Sequence, residues 1–206
     1  YIKAAFKEIN GKVLSPVINL NGKYENGEND FVEIAVNMGI APERAKEAFT
    51  YAVEMQKGFH EACLEEGKRV LDKIEADGEI GIIVFGRPYN AFTKITNMGI
   101  PHKFATRGYK IIPVDFLPIS GEENYDNMYW ATGQIIMKGA KYIKNRQNLY
   151  GVYISNFSCG PDSFIISYFR DEMGTKPSLM LELDSHTADA GVDTRIEAFL
   201  DVVKSY

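Results

Sequence analysis

The chain has 206 residues, 45% of them hydrophobic and 25% charged, with a net charge of −5. That composition fits one α/β domain with an appendage or two small domains, and the acidic balance argues against nucleic-acid binding, which needs clustered Lys and Arg. No apolar stretch approaches the roughly 20 residues of a membrane span, and two cysteines exclude a disulfide scaffold and point to a reducing cytoplasm.

The sequence begins at Tyr1 without Met or a signal-peptide pattern, and reads as a piece of a longer protein or a processed terminus. Residues 1–78 form a helical lead-in. Val13–Leu20 has extended character, but Pro16 demotes it to an edge or a non-strand. Asn21–Asn29 is a polar loop rich in Gly and Asn. From about 43 to 76 apolar residues recur at steps of three and four, from Ala45, Ala48 and Phe49 to Val70, Leu71 and Ile74. That is one face of a long helix, opened by Pro42 and closed by Asp77-Gly78. Cys63 lies on this face and reads as core.

From 79 to 206 the pattern alternates. Apolar runs at Ile80–Phe85, Lys110–Val114, Gly151–Ile154 and Leu179–Leu183 read as strands. Helical stretches follow at roughly 93–107, 125–145, 162–173 and 192–205. Four strand–helix pairs predict an α/β, doubly wound, flavodoxin/Rossmann-like parallel sheet in the order 2-1-3-4.

In such sheets ligands bind beyond the carboxyl ends of the strands, at the switch point. Those ends carry Gly86-Arg87-Pro88-Tyr89-Asn90, Asp115-Phe116-Leu117-Pro118, the turn around Cys159, and Asp184-Ser185-His186-Thr187 running on to Asp189. Arg87 reads as a surface cation or an anion clamp. Cys159 precedes Gly160-Pro161-Asp162 at a helix N-terminus, where partial positive charge favours a thiolate. A buried inert thiol, a metal or cluster ligand and a nucleophile all stay open at this point. His186 with Asp184 and Asp189 reads as an acid–base or metal group, or as helix caps; a Cys159–His186–Asp189 triad has no support from spacing. Tyr129 and Trp130 read as core or as a lid. Lys138, Lys141, Lys144 and Arg146 read as a solvated face. Neither Gly86 nor Gly160 belongs to a GxGxxG or P-loop pattern.

Five ordered blocks carry a resemblance: Gly86-Arg87-Pro88-Tyr89-Asn90, Asp115-Phe116-Leu117-Pro118, Asn127-Met128-Tyr129-Trp130, Asn156-Phe157-Ser158-Cys159-Gly160-Pro161-Asp162-Ser163-Phe164 and Glu182–Gly191. Together they resemble the C-terminal part of large fused activators of 2-hydroxyacyl-CoA dehydratase, the CoA-substrate-specific enzyme activases. That part is itself similar to the dehydratase subunits and, more distantly, to benzoyl-CoA reductase subunits. The resemblance covers most of 80–205 and is weaker before it.

It implies flavodoxin-like domains with a cysteine-held iron–sulfur cluster, and an ATPase activator that passes one low-potential electron. The dehydratase then removes water from a 2-hydroxyacyl-CoA by radical chemistry. On this resemblance Cys159 is the cluster ligand of the intact protein. Arg87, Tyr89 and Asn156 are the other cofactor-binding candidates, with a CoA ester as a second ligand. Arg87, His186 and Asp189 match recurrent residues to which the pattern assigns no role; His186 and Asp189 are the catalytic candidates from their place at the strand ends alone. The implied partners are the remaining domains of the parent chain and a dehydratase or ATPase component. Two departures stand out: Ser158 replaces a usual Gly, and the partner cysteines of a cluster are missing, so this piece alone is expected to hold no complete cluster. A non-redox CoA or anion module, a docking module, and a cysteine-dependent acyl-transfer enzyme remain the alternatives.

Overall fold

The computed structural model describes residues 2–20, 22–157 and 159–206. Asn21 of the polar loop and Ser158, the residue that departs from the family pattern, lie outside the described residues. Contacts divide the chain into Tyr1–Ala62 and Cys63–Tyr206.

The first unit holds α1 (Ile2–Ala5), 3-10 turns at Lys7–Lys12 and Tyr24–Gly27, α2 (Glu28–Asn37) and the first part of α3 (Pro42–Asp77). Helix α2 was not legible beside the polar loop. Its Phe31 packs on Phe49 of α3 with ring centroids 5.4 Å apart. Lys46 pairs with Glu28 at 3.0 Å, and Lys57 with Glu25 at 2.5 Å. Only Gly27 and Ala45 are buried among its described residues, so little apolar burial stabilises this unit.

The second unit holds the rest of α3, then β1 (Gly81–Phe85), α4 (Pro88–Ala91), α5 (Ile100–Thr106), β2 (Lys110–Pro113), α6 (Ala131–Lys144), β3 (Leu149–Asn156), α7 (Gly160–Met173), β4 (Ser178–Leu183) and α8 (Asp189–Ser205). The strands form one all-parallel sheet, β2-β1-β3-β4, the order expected from the sequence. Both faces are covered. Ile83, Phe85 and Tyr153 pack with α6 and α7, while Ile82, Val84, Val152 and Ile154 pack with α5 and α8. Alternation along each strand assigns these residues to opposite faces. Phe169 of α7 meets Phe85 and Tyr153 edge-on, with centroids 4.8 and 5.4 Å away. Burying one such ring stabilises the fold by about 2–3 kcal/mol.

Three of the differences from the expected boundaries have a clear local reason. Strand β3 runs longer because both neighbours pair with it, from Gly81↔Leu149 on one side to Asn156↔Leu183 on the other. The stretch 93–99 is a turn, not the start of a helix. Met98 and Gly99 both have positive φ there, and the Asn97 amide donates to the Ala91 carbonyl at 2.8 Å. The stretch 125–130 is a loop because Gln134 captures it: Nε2 donates to the carbonyls of Tyr125 and Met128, and the Tyr125 N–H donates to Oε1. These bonds satisfy backbone groups that a helix would otherwise pair.

Candidate functional site

Strand β1 ends in Phe85, and the chain must turn at once to clear β3. Gly86 does this at φ 141°, and a Cβ there would lie 2.3 Å from the Ile154 carbonyl oxygen. Only glycine meets both demands. Arg87 is extended, and Pro88 then opens α4 with its φ already set. Two side chains from the following turn fix α4. The Thr96 hydroxyl donates to the Tyr89 carbonyl at 2.5 Å, and Asn97 holds Ala91 as above. Helix α4 packs against β3.

The next strand over delivers the thiol. Asn156 is the last residue of β3, and its carbonyl accepts from the Cys159 N–H at 2.9 Å. Cys159 is the N-cap residue of α7, but its side chain makes no capping hydrogen bond. The thiol is half-buried and lies 3.6 Å from the Tyr89 hydroxyl. The Arg87 guanidinium sits 6.0 Å from the centre of the Tyr89 ring. The hydrogen bond to Cys159, then burial, raises the Tyr89 phenol above its usual value.

Beneath this surface lies a polar layer that sequence reasoning missed. Asp162 is fully buried in the first turn of α7. The Tyr153 hydroxyl donates to one of its oxygens at 3.2 Å, and the Ser155 hydroxyl to the other at 2.9 Å. Burial first, and then the Asp162 charge, hold the Tyr153 phenol well above its ordinary range. The signal was available: Tyr153 and Ser155, two apart, face one side of an apolar strand, and an acid follows in the next helix. Asn90, beside Tyr89, is buried, and its Nδ2 has no partner among the described residues.

The other sequence candidates are engaged elsewhere. His186 is exposed in a turn built on Asp184, whose carboxylate accepts from the His186 N–H and the Thr187 hydroxyl, each at 2.9 Å. Its ring is 3.2 Å from the Ser185 hydroxyl. Asp189, at the start of α8, pairs with Lys103 of α5 at 3.0 Å. Among the described residues, no hydrogen bond or ion pair of His186 or Asp189 reaches Arg87, Tyr89 or Cys159. Tyr129 and Trp130 are exposed rather than core, and Trp130 lies 6.5 Å from the exposed Phe164 ring of α7. Phe157, two residues before Cys159, is exposed as well. Cys63 is buried on α3.

The chain matches the family model described as the CoA enzyme activase uncharacterised domain over residues 1–117. The chain belongs to this family. The match takes in all of the first unit and runs on through β1 and β2, so it includes Arg87 and Tyr89; Cys159, His186 and Asp189 lie beyond it. No curated protein and no solved structure matches the chain.

An iron–sulfur cluster is the group that the resemblance to the activases implies; among the described residues this end of the sheet offers one thiol, Cys159. The Cys159 residue is partly exposed, its sulfur makes no capping hydrogen bond, and it lies within hydrogen-bonding distance of the Tyr89 hydroxyl. No three His, Cys, Asp or Glu side chains converge among the described residues. The remaining ligands of a cluster would therefore come from outside them. No helix among the described residues is long and apolar enough to cross a membrane.

Proposed function

We propose that this chain is the C-terminal, redox-facing part of a fused CoA enzyme activase, and that Cys159 gives one thiolate to an iron–sulfur cluster completed by other domains or a partner component. Bound there, the cluster would supply a one-electron carrier. The observation that carries the reading is the half-buried, uncapped Cys159 thiol beside Tyr89 at the ends of β1 and β3. Exposed apolar rings at Phe157, two residues before Cys159, and at Phe164 of α7 with its neighbour Trp130 support a surface that lies against another protein. The unpaired, buried Asn90 amide on the same turn is costly unless something meets it. The paucity of cysteine suits a reducing, cytoplasmic setting, and the resemblance to the dehydratase system implies an anaerobic one.

The test is anaerobic reconstitution of the full-length parent protein with iron and sulfide. A visible-absorbing chromophore is expected, and Cys159→Ser should diminish it. A chromophore that Cys159→Ser leaves unchanged overturns the assignment.

A second reading, a non-redox module for a CoA ester or another anion, is favoured by one observation. A hollow of about 420 Å³ opens beside the ends of β1 and β2, with Lys94 and His102 on an otherwise largely apolar wall of Val84, Phe92 and Pro113. That is within the size range of small-molecule sites. It predicts a thermal shift with CoA esters that survives Cys159→Ser. The acyl-transfer alternative draws no support from His186, whose contacts are with Asp184 and Ser185.

A further inference from the structure

Independently of the cluster reading, we propose that the apolar groove along the first half of α3 binds a medium- to long-chain fatty acid, with its tail over the alanines of α3 and its carboxylate on Arg44.

The groove lies wholly within the first unit and has a volume of about 530 Å³. Ala48 and Ala52 of α3 and Ala35 of α2 are too short to fill it, and the rings of Tyr24, Phe31 and Phe49 line it. Tyr24, Phe31 and Ile40 stay 42%, 39% and 43% exposed, so this unit leaves in water apolar surface that its own chain does not cover.

Length and charge set the occupant. The lined stretch of α3 runs from Arg44 to Gln56, about 18 Å at ~1.5 Å per residue. That is the length of an extended acyl chain, and the volume lies within the range of small-molecule sites. A partner helix, about 10–12 Å across with its side chains, is too thick to be seated in it. Arg44 is the one charged side chain among the described lining residues. It makes no hydrogen bond or ion pair among the described residues, whereas Lys46 and Lys57 of the same helix pair with Glu28 and Glu25. The fold gains little from it. Arg44 is exposed, and it stands in the first turn of α3, where a cation opposes the helix dipole. A guanidinium presents the planar fork that pairs with a carboxylate through two N–H···O bonds. A lone cation at one end of an apolar groove thus complements an amphiphile with one anionic head.

Isothermal titration calorimetry of the full-length protein with laurate, held below its micelle concentration, tests this. Saturable binding to wild type is expected. Arg44→Gln removes the charge and leaves the groove, so it should weaken laurate about tenfold or more. Dodecanol, which carries no charge, should bind both proteins alike. Ala52→Trp fills the groove and should abolish the binding of both ligands. Absence of saturable laurate binding to wild type overturns the proposal, as does equal laurate affinity in wild type and Arg44→Gln. Laurate binding that survives Ala52→Trp puts the site elsewhere and overturns it too. So does a concentration-dependent dimer of the unliganded protein, seen by sedimentation, that Ala52→Trp disrupts, because a second copy then covers the groove. The Arg44→Gln comparison decides without Ala52→Trp, since Arg44 makes no side-chain contact of its own to lose and the variant should keep the wild-type melting temperature.

Discussion

Gly86 and Ile154 approach so closely that a Cβ on Gly86 would lie 2.3 Å from the Ile154 carbonyl oxygen. This one approach, between the ends of two neighbouring strands, puts Tyr89 within reach of Cys159. Gly86→Ala would have to move backbone and abandon φ 141°. We expect a loss of about 3 kcal/mol, from overpacking and a disfavoured dihedral together. Urea denaturation measures it; a loss below about 1 kcal/mol would show that the turn can relax.

The buried Asp162 should be more costly to truncate than to neutralise. Asp162→Ala strands the hydroxyls of Tyr153 and Ser155 in the core, at about 2–4 kcal/mol for two unpaired polar groups and a small cavity. Asp162→Asn keeps the shape and both partners, since Ser155 and Tyr153 can each donate or accept. The prediction is that alanine lowers the denaturation midpoint clearly more than asparagine; equal effects would count against a hydrogen-bonded role.

Two glycines on α3 should respond in opposite directions. A Cβ on Gly67 would lie 2.0 Å from the Phe116 carbonyl oxygen, whereas one on Gly58 meets nothing within 4 Å. Gly67→Ala should therefore destabilise by about 2 kcal/mol or more, because backbone must shift. Gly58→Ala should stabilise by up to about 1 kcal/mol, through helix propensity alone. Denaturation midpoints of the two variants, taken in one buffer, decide this.

Stability should rise and then fall across alkaline pH. Burial pulls the Lys176 ammonium down to about 8, while its Nζ donates to the carbonyls of Ile143 and Arg146 at the end of α6. Between that value and the ordinary lysine value near ~10.4, the unfolded chain binds more protons than the folded one, so stability grows with pH. Burial, in each case the leading cause, raises the phenols of Tyr125, Tyr142, Tyr150 and Tyr153. Above the ordinary phenol value of ~10 the unfolded chain loses those protons first, so stability falls. Urea midpoints should peak between about pH 9 and 10. Lys176→Met should abolish the rise and leave the fall; a rise that survives the substitution would assign it to other groups.

Much of the architecture was readable residue by residue. Ile82 and Ile83, adjacent and both apolar, already say that β1 is covered on two faces, and the regular recurrence of such runs implies a parallel sheet. Helix α2 was not readable, because its apolar positions are few and follow a polar loop. Nor was the loop at 125–130, whose sequence resembles a helix start until the Gln134 side chain intervenes across several residues. Tyr129 and Trp130 show the limit of composition: the sequence left core and lid both open, and both residues are exposed. Hydrophobicity fixes a preference for burial, not the presence of a surface to be buried against.

By itself the sequence determined the strand order, the turns that bear Arg87, Tyr89 and Cys159, and the shortage of cysteines for a whole cluster, since each of these depends on local pattern or on counting. Only the tertiary structure decided which of those residues meet. Tyr89 and Cys159 are 70 positions apart and touch because β1 and β3 are hydrogen-bonded neighbours with a glycine at the junction. His186 and Asp189, placed by sequence at the same end of the sheet, are instead taken up by Asp184 and Lys103. The physical reason is that a side chain reaches only a few ångströms. Strand order brings loops to one end of the sheet, but the register and dihedrals of each turn settle which atoms lie within hydrogen-bonding distance.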